Sequence, residues 1–153
     1  PTEWVETATD RMRKAGVKPE MEVFDMGHVR QARDLVERGL LEDPPYFQIC
    51  LGIAWGAEAD LETLLALKAR LPAGAQWSVL GVGQRQLPIT AHAMIIGGHV
   101  RVRFEDNVYL SRGVLADSNA RFVERTVKLA NLMQREVATC KEARKILGIP
   151  QLV

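Results

Sequence analysis

The chain is constrained most by a recurrence: short β-branched or aromatic runs return at regular intervals, and a helical pattern follows each one. The runs are Met21 to Phe24, Tyr46 to Leu51, Trp77 to Val82 and His99 to Phe104, which predicts strands near 20–25, 46–52, 76–82 and 99–104. Their starts lie about 25, 31 and 22 residues apart, the length of one strand, one helix and two loops. Strand alternating with helix implies a parallel sheet, since a parallel return needs a crossover.

The helices are marked by caps and stripes. Trp4, Ala8, Met12 and Ala15 predict a first helix stopped by Gly16, and Val29, Ala32, Leu35 and Val36 a second ended by Gly39. Asp60 is placed to cap a third, whose Leu61, Leu64, Leu65, Lys68 and Leu71 share a mostly apolar face. A fourth, apolar nearly all round, begins near Pro88 and ends at Gly97 and Gly98. A fifth starts at Ser118 or Asn119 and aligns Phe122, Val123, Thr126, Val127, Ala130 and Met133. Thr139 and Glu142 form a capping box for a short closing helix that ends at Gly148.

Four consecutive βα units suit either a small doubly wound sheet or half of an eight-unit barrel of about 250 residues. Charges near the strand ends favour the barrel, whose mouth is lined by polar side chains at the carboxyl ends of the strands. Because side chains alternate, Glu20, Glu22 and Phe24 are expected on one face, and Arg101, Arg103 and Glu105 on another. The fold class expected is therefore α/β, of (β/α)8 TIM-barrel type, with this chain covering about the last four units.

Composition narrows the function. Twenty Lys and Arg against 19 Asp and Glu leave a formal net charge of +1, which argues against an electrostatic nucleic-acid binder. No run of 18 apolar residues or signal-peptide pattern is present, so no membrane role and a cytoplasmic location are expected. A chain beginning with Pro1 is expected to be processed, truncated or a fragment. Cys50 and Cys140 lie in unlike contexts and suggest neither a CxxC motif nor a disulfide framework.

Two segments offer chemistry. In His99-Val100-Arg101-Val102-Arg103-Phe104-Glu105-Asp106-Asn107, adjacent carboxylates end a strand beside arginines. One carboxylate can bind a metal while the other takes a proton, and an arginine can keep a carboxylate ionised or grip a substrate carboxylate. A solvated strand end with an ion pair is the simpler alternative. In Leu80-Gly81-Val82-Gly83-Gln84-Arg85-Gln86, two glycines let backbone amides approach an anion where a helix begins. It lacks the third glycine of a dinucleotide fingerprint, and a plain strand-to-helix turn is the alternative. His28, His92 and His99 never fall at HxH or HxxxH spacing, so no complete metal site is visible. Only His28 falls just after a strand, at the expected site end.

GVKPEMEVFDMGH (Gly16 to His28), SVLGVGQRQLP (Ser78 to Pro88), GGHVRVRFEDNVYL (Gly97 to Leu110), GVLADSNARFVERTVKLA (Gly113 to Ala130) and REVATCKEARKILGI (Arg135 to Ile149) resemble the C-terminal half of the β-keto acid cleavage enzymes. The resemblance implies a zinc-dependent barrel that condenses a β-keto acid with acetyl-CoA, releasing acetoacetate and a new CoA thioester. It implies that residues 1–153 are the C-terminal half of one barrel domain. On the matching positions, Glu105 is the carboxylate ligand of zinc, Asp106 the acid that transfers a proton and Arg101 its partner. Glu22, or else Glu20, is an acidic substrate contact. Gly81, Gly83, Gln84 and Arg85 lie where CoA phosphates are expected.

Two departures accompany the match. Arg103 stands where family members commonly have glycine, which suggests a substrate-contacting residue that fills part of the pocket or selects a more acidic keto acid. The histidine pair that completes the family's zinc site has no counterpart here. A homo-oligomer is expected. The competing possibilities are a non-catalytic half-barrel that pairs through its open edges and another metal-dependent lyase or aldolase on a similar barrel.

Overall fold

A computed structural model describes residues 2–150. Helix α1 (Thr2–Lys14) precedes strand β1 (Glu20–Val23), helix α2 (Met26–Glu37), strand β2 (Tyr46–Leu51), helix α3 (Leu61–Lys68) and strand β3 (Gln76–Gly81). A 3-10 turn (Gly83–Arg85) leads into α4 (Gln86–Ile95) and then β4 (His99–Val100). A small hairpin, β5 (Tyr109–Ser111) with β6 (Val114–Leu115), precedes α5 (Asn119–Leu132) and α6 (Cys140–Ile146).

The capping residues behave as their chemistry requires. Asp25 accepts a hydrogen bond from the His28 N–H at 3.0 Å, and Asp60 one from the Thr63 N–H at 2.7 Å. Each satisfies a donor that the first helical turn leaves without an internal partner. Thr139 and Glu142 form the expected reciprocal box. Helix α4 begins two residues before Pro88, whose missing N–H costs nothing in a first turn.

Strand order decides the architecture. The four strands are parallel and pair in the order β1-β2-β3-β4, so each crossover advances the same way. A doubly wound sheet reverses direction at a switch point, whereas a barrel wall does not. Val23, Phe47, Ile49, Leu51, Trp77 and Val79 share one face by register. They bury in one cluster with Val29 and Ala32 of α2, Leu64 and Leu67 of α3 and Ile89 and Ala93 of α4. All three helices therefore cover the same side, and the opposite face is free to line a lumen. Truncating a fully buried member such as Leu64 to alanine costs about 2–5 kcal/mol.

Two glycines allow this close packing. A Cβ on Gly81 would sit 2.5 Å from Ile89 Cγ2, and one on Gly98 would sit 2.2 Å from the Trp77 ring. Gly81 thus has a packing reason to be glycine.

The last sheet strand departs from expectation, ending at Val100 instead of Phe104. Arg101 still donates its N–H to the Val79 carbonyl at 2.9 Å, but beyond it side chains capture the backbone. Gln86 Nε2 donates to the Arg103 carbonyl (3.1 Å), and Asn119 Oδ1 accepts from the Phe104 N–H (2.7 Å). Pairing gives way to a turn, and strand alternation no longer relates Arg101, Arg103 and Glu105. The β5–β6 hairpin was not expected either.

Candidate active site at the carboxyl end of the sheet

The lumen-side face is polar. Glu22, Gln48, Ser78 and His99 form one register row across the four strands. Gln48 and Ser78 are fully buried and hydrogen-bonded, as buried polar groups must be. Tyr46 Oη donates to Ser78 Oγ at 2.8 Å. The Gln48 amide is oriented so that Nε2 donates to Glu20 Oε1 (2.8 Å) and Ser78 Oγ (2.9 Å) while Oε1 accepts from the Leu80 N–H. The opposite orientation would oppose two oxygens.

Above this row, Arg101 reaches across the lumen face. Its guanidinium donates to Glu22 Oε1 at 2.8 Å and lies 3.8 Å from Glu20 Oε1. Partial burial raises the Glu20 carboxyl above its ordinary range, with Arg101 opposing the shift. Cys50 lies beside these charges, and burial, reinforced by the Glu22 carboxylate, pushes its thiol up to about 12. It is therefore a neutral thiol without nucleophilic character at neutral pH.

The turn after β4 carries the second cluster. Arg103 contacts Glu105 Oε2 at 3.0 Å and donates to Asp106 Oδ2 (3.1 Å) and Oδ1 (3.3 Å). Asp106 is 10% exposed at its side chain, whereas Glu105 is 73% exposed. The expected partnership of Asp106 with Arg101 is thus replaced by one with Arg103, because the chain turns before the strand can place Arg101 beside it.

The turn is held from beneath. Gly83 donates its N–H to the Asp106 carbonyl at 2.7 Å. Fully buried Gln86 accepts from Arg125 at 2.9 Å and from Asn107 at 3.4 Å while donating to Arg103. Arg125 also donates to the Leu110 carbonyl and lies 5.2 Å from the Phe122 ring. Sequence reasoning missed Gln86 and Arg125. The available signal was a polar residue opening a helix that is otherwise apolar nearly all round.

A cleft of about 1190 Å³ opens between this turn, the start of α4 and the hairpin. Gly83, Gln84, Glu105 and Asp106 line it. Gly81 and Arg85 do not, and Arg85 instead lines a separate groove with Trp55, Glu58 and Asp60. The structure therefore divides the four residues expected near CoA phosphates. Of the histidines, only His28 stands at the site end. It caps the β1 exit by accepting the Phe24 N–H at 3.3 Å.

A zinc site needs about four donors. Among the described residues, no three His, Cys, Asp or Glu side chains come together for a metal, and the Glu105–Asp106 pair already shares Arg103. The described residues do not by themselves fit zinc.

The beta-keto acid cleavage enzyme family model matches residues 1–149. A 3-keto-5-aminohexanoate cleavage enzyme from Fusobacterium nucleatum is 46% identical over 88% of this chain and 48% of that protein. A 3-dehydrocarnitine:acetyl-CoA trimethylamine transferase from Rhizobium meliloti is 40% identical over 91% of the chain and 46% of its own length. A 3-oxoadipate:acetyl-CoA acetyltransferase from Cupriavidus necator is 33% identical over 99% of the chain and 55% of its own length. The chain thus spans about half the length of the curated relatives it matches. The solved binary complex of ObcA with oxaloacetate superposes with a TM-score of 0.77 at 18% identity, covering 97% of this chain and 41% of that one, which shows the shared fold. With a barrel-type strand order and this match along nearly all its length, the chain belongs to the beta-keto acid cleavage enzyme family.

Proposed function

We propose that this chain supplies the C-terminal half of the barrel and active site of an enzyme that cleaves a β-keto acid against acetyl-CoA. The acetyl group joins the CH2–COO⁻ unit of the keto acid to give acetoacetate, and the remaining acyl group leaves as a new CoA thioester. The supporting observation is the convergence of Glu22–Arg101 and Asp106–Arg103 on the carboxyl end of a barrel-type sheet, where such folds keep their chemistry. The names of the relatives agree with this activity.

Asp106, paired with the Arg103 guanidinium, takes the proton from the carbon between the two carbonyls. Positioned proton transfer of this kind contributes about 10²–10⁴-fold to rate. Arg101 offers positive charge to the enolate that develops, while Glu22 and Arg103 contact the substrate. Gly83 and Gln84 face the co-substrate. Glu105 would offer one oxygen donor to the zinc that family resemblance implies, a set the described residues do not complete by themselves.

A cytoplasmic location goes with a CoA co-substrate. Association into a homo-oligomer belongs to the same proposal. The test is acetoacetate released from acetyl-CoA by the full reading frame, with 3-oxo acids bearing amino, trimethylammonium or carboxylate tails. Release that falls at least a hundredfold in Asp106→Asn supports the proposal. No release with any of them overturns it.

A further inference from the structure

The cleft beside Glu105 and Asp106 carries two arginines of unequal freedom, Arg112 at the hairpin turn and Arg125 on α5. Among the described residues neither is paired with a carboxylate, unlike Arg101 and Arg103. Arg125 donates through its two terminal nitrogens to the Leu110 carbonyl and Gln86, and so pins the hairpin over the cleft, while its buried Nε has no partner among the described residues. Arg112 is exposed on the hairpin turn with its charge uncompensated. Leu87, Pro88, Val108, Tyr109 and Leu110 line the same cleft and make its wall largely apolar. Arg85, the cation that the family resemblance places near the phosphates, lies in the other groove, where Asp60 is held below its ordinary range chiefly by hydrogen bonds from Thr63, with Arg85 adding to the effect.

We infer that this cleft seats the co-substrate's pantetheine arm, with the thioester toward Glu105 and Asp106 and a phosphate group on Arg112. The inference rests on the function proposed above and adds the route of the ligand. A long, partly apolar linker ending in phosphate matches a largely apolar cleft that also carries carboxylates and an exposed, unpaired arginine. A phosphate on Arg112 gains a charge-assisted hydrogen bond that Arg85, which lines the other groove, is not placed to offer.

The test is calorimetric binding of coenzyme A and of pantetheine, which lacks the phosphates, to the full chain. Arg112→Ala should weaken coenzyme A about tenfold and leave pantetheine unchanged, whereas Tyr109→Ala should weaken both. Arg112 is exposed on a turn, so unchanged pantetheine binding also confirms folding. The inference fails if Arg85→Ala weakens coenzyme A and Arg112→Ala does not, or if the chain binds no coenzyme A. Coenzyme A binding without any effect of Arg112 or Tyr109 overturns the route while leaving the reaction intact. The acetoacetate assay judges the reaction separately.

Discussion

Arg101 and Glu22 form a 2.8 Å ion pair although their strands are the fourth and first of the sheet. In a flat sheet three interstrand spacings amount to about 14 Å. Side chains close that gap only because the sheet curls toward its polar face, so the pair is a chord across the barrel lumen. It links residues 79 positions apart in sequence.

A double-mutant cycle with Glu22→Gln and Arg101→Met should give a coupling of about 0.5–1 kcal/mol in urea denaturation. Glu22 is 45% exposed and Arg101 26%, so solvent screening limits the value. The coupling should shrink in 1 M salt. A coupling near zero at low salt would remove the chord from the forces that curve the sheet.

Gln86→Leu is isosteric enough to pack but leaves the Arg103 carbonyl and an Arg125 donor without partners. The expected loss is about 1–3 kcal/mol, read from the urea midpoint. Faster amide exchange at residues 103–107 should accompany it. Exchange that speeds up uniformly across the chain would show Gln86 to be an ordinary core residue.

His99 has its imidazole held below the ordinary range by burial, with the Arg135 charge adding to the effect. The folded state then binds fewer protons than the unfolded one. Stability is present above the unfolded value near 6.5 and is lost as pH falls through the window below it. Melting temperature should fall between pH 7 and pH 5.5, and His99→Asn should flatten that part of the curve. An unaltered slope in the variant would assign the pH dependence to other groups.

Zinc retention tests the incomplete donor set. After equilibration with zinc and desalting, the chain should keep far less than one equivalent, and Glu105→Gln should change nothing. One tightly held equivalent would mean that this chain builds a metal site the described residues do not show.

The periodicity of the sequence carried most of the fold. Helix positions, the caps at Asp60 and Thr139 and three of the four sheet strands follow from local rules, because spacing and capping act within a few residues. The candidate site was legible as a list of residues, since the acids and arginines cluster in one segment after a run of β-branched residues. Their pairing was not legible, and neither was the support given by Gln86, Arg125 and Asn119. Those contacts join segments from 15 to 39 positions apart.

By itself the sequence determined a parallel sheet, built from four βα units, with charged residues gathered near the strand ends. Only the tertiary structure decided that the sheet curls as a barrel wall, that Arg101 faces Glu22 while Arg103 takes Asp106, and that Arg85 and Arg112 serve different grooves. Alternation along a strand is a local rule and lapses where the backbone ladder ends at Val100. Beyond that point curvature and side-chain capture of the backbone set the distances between charges.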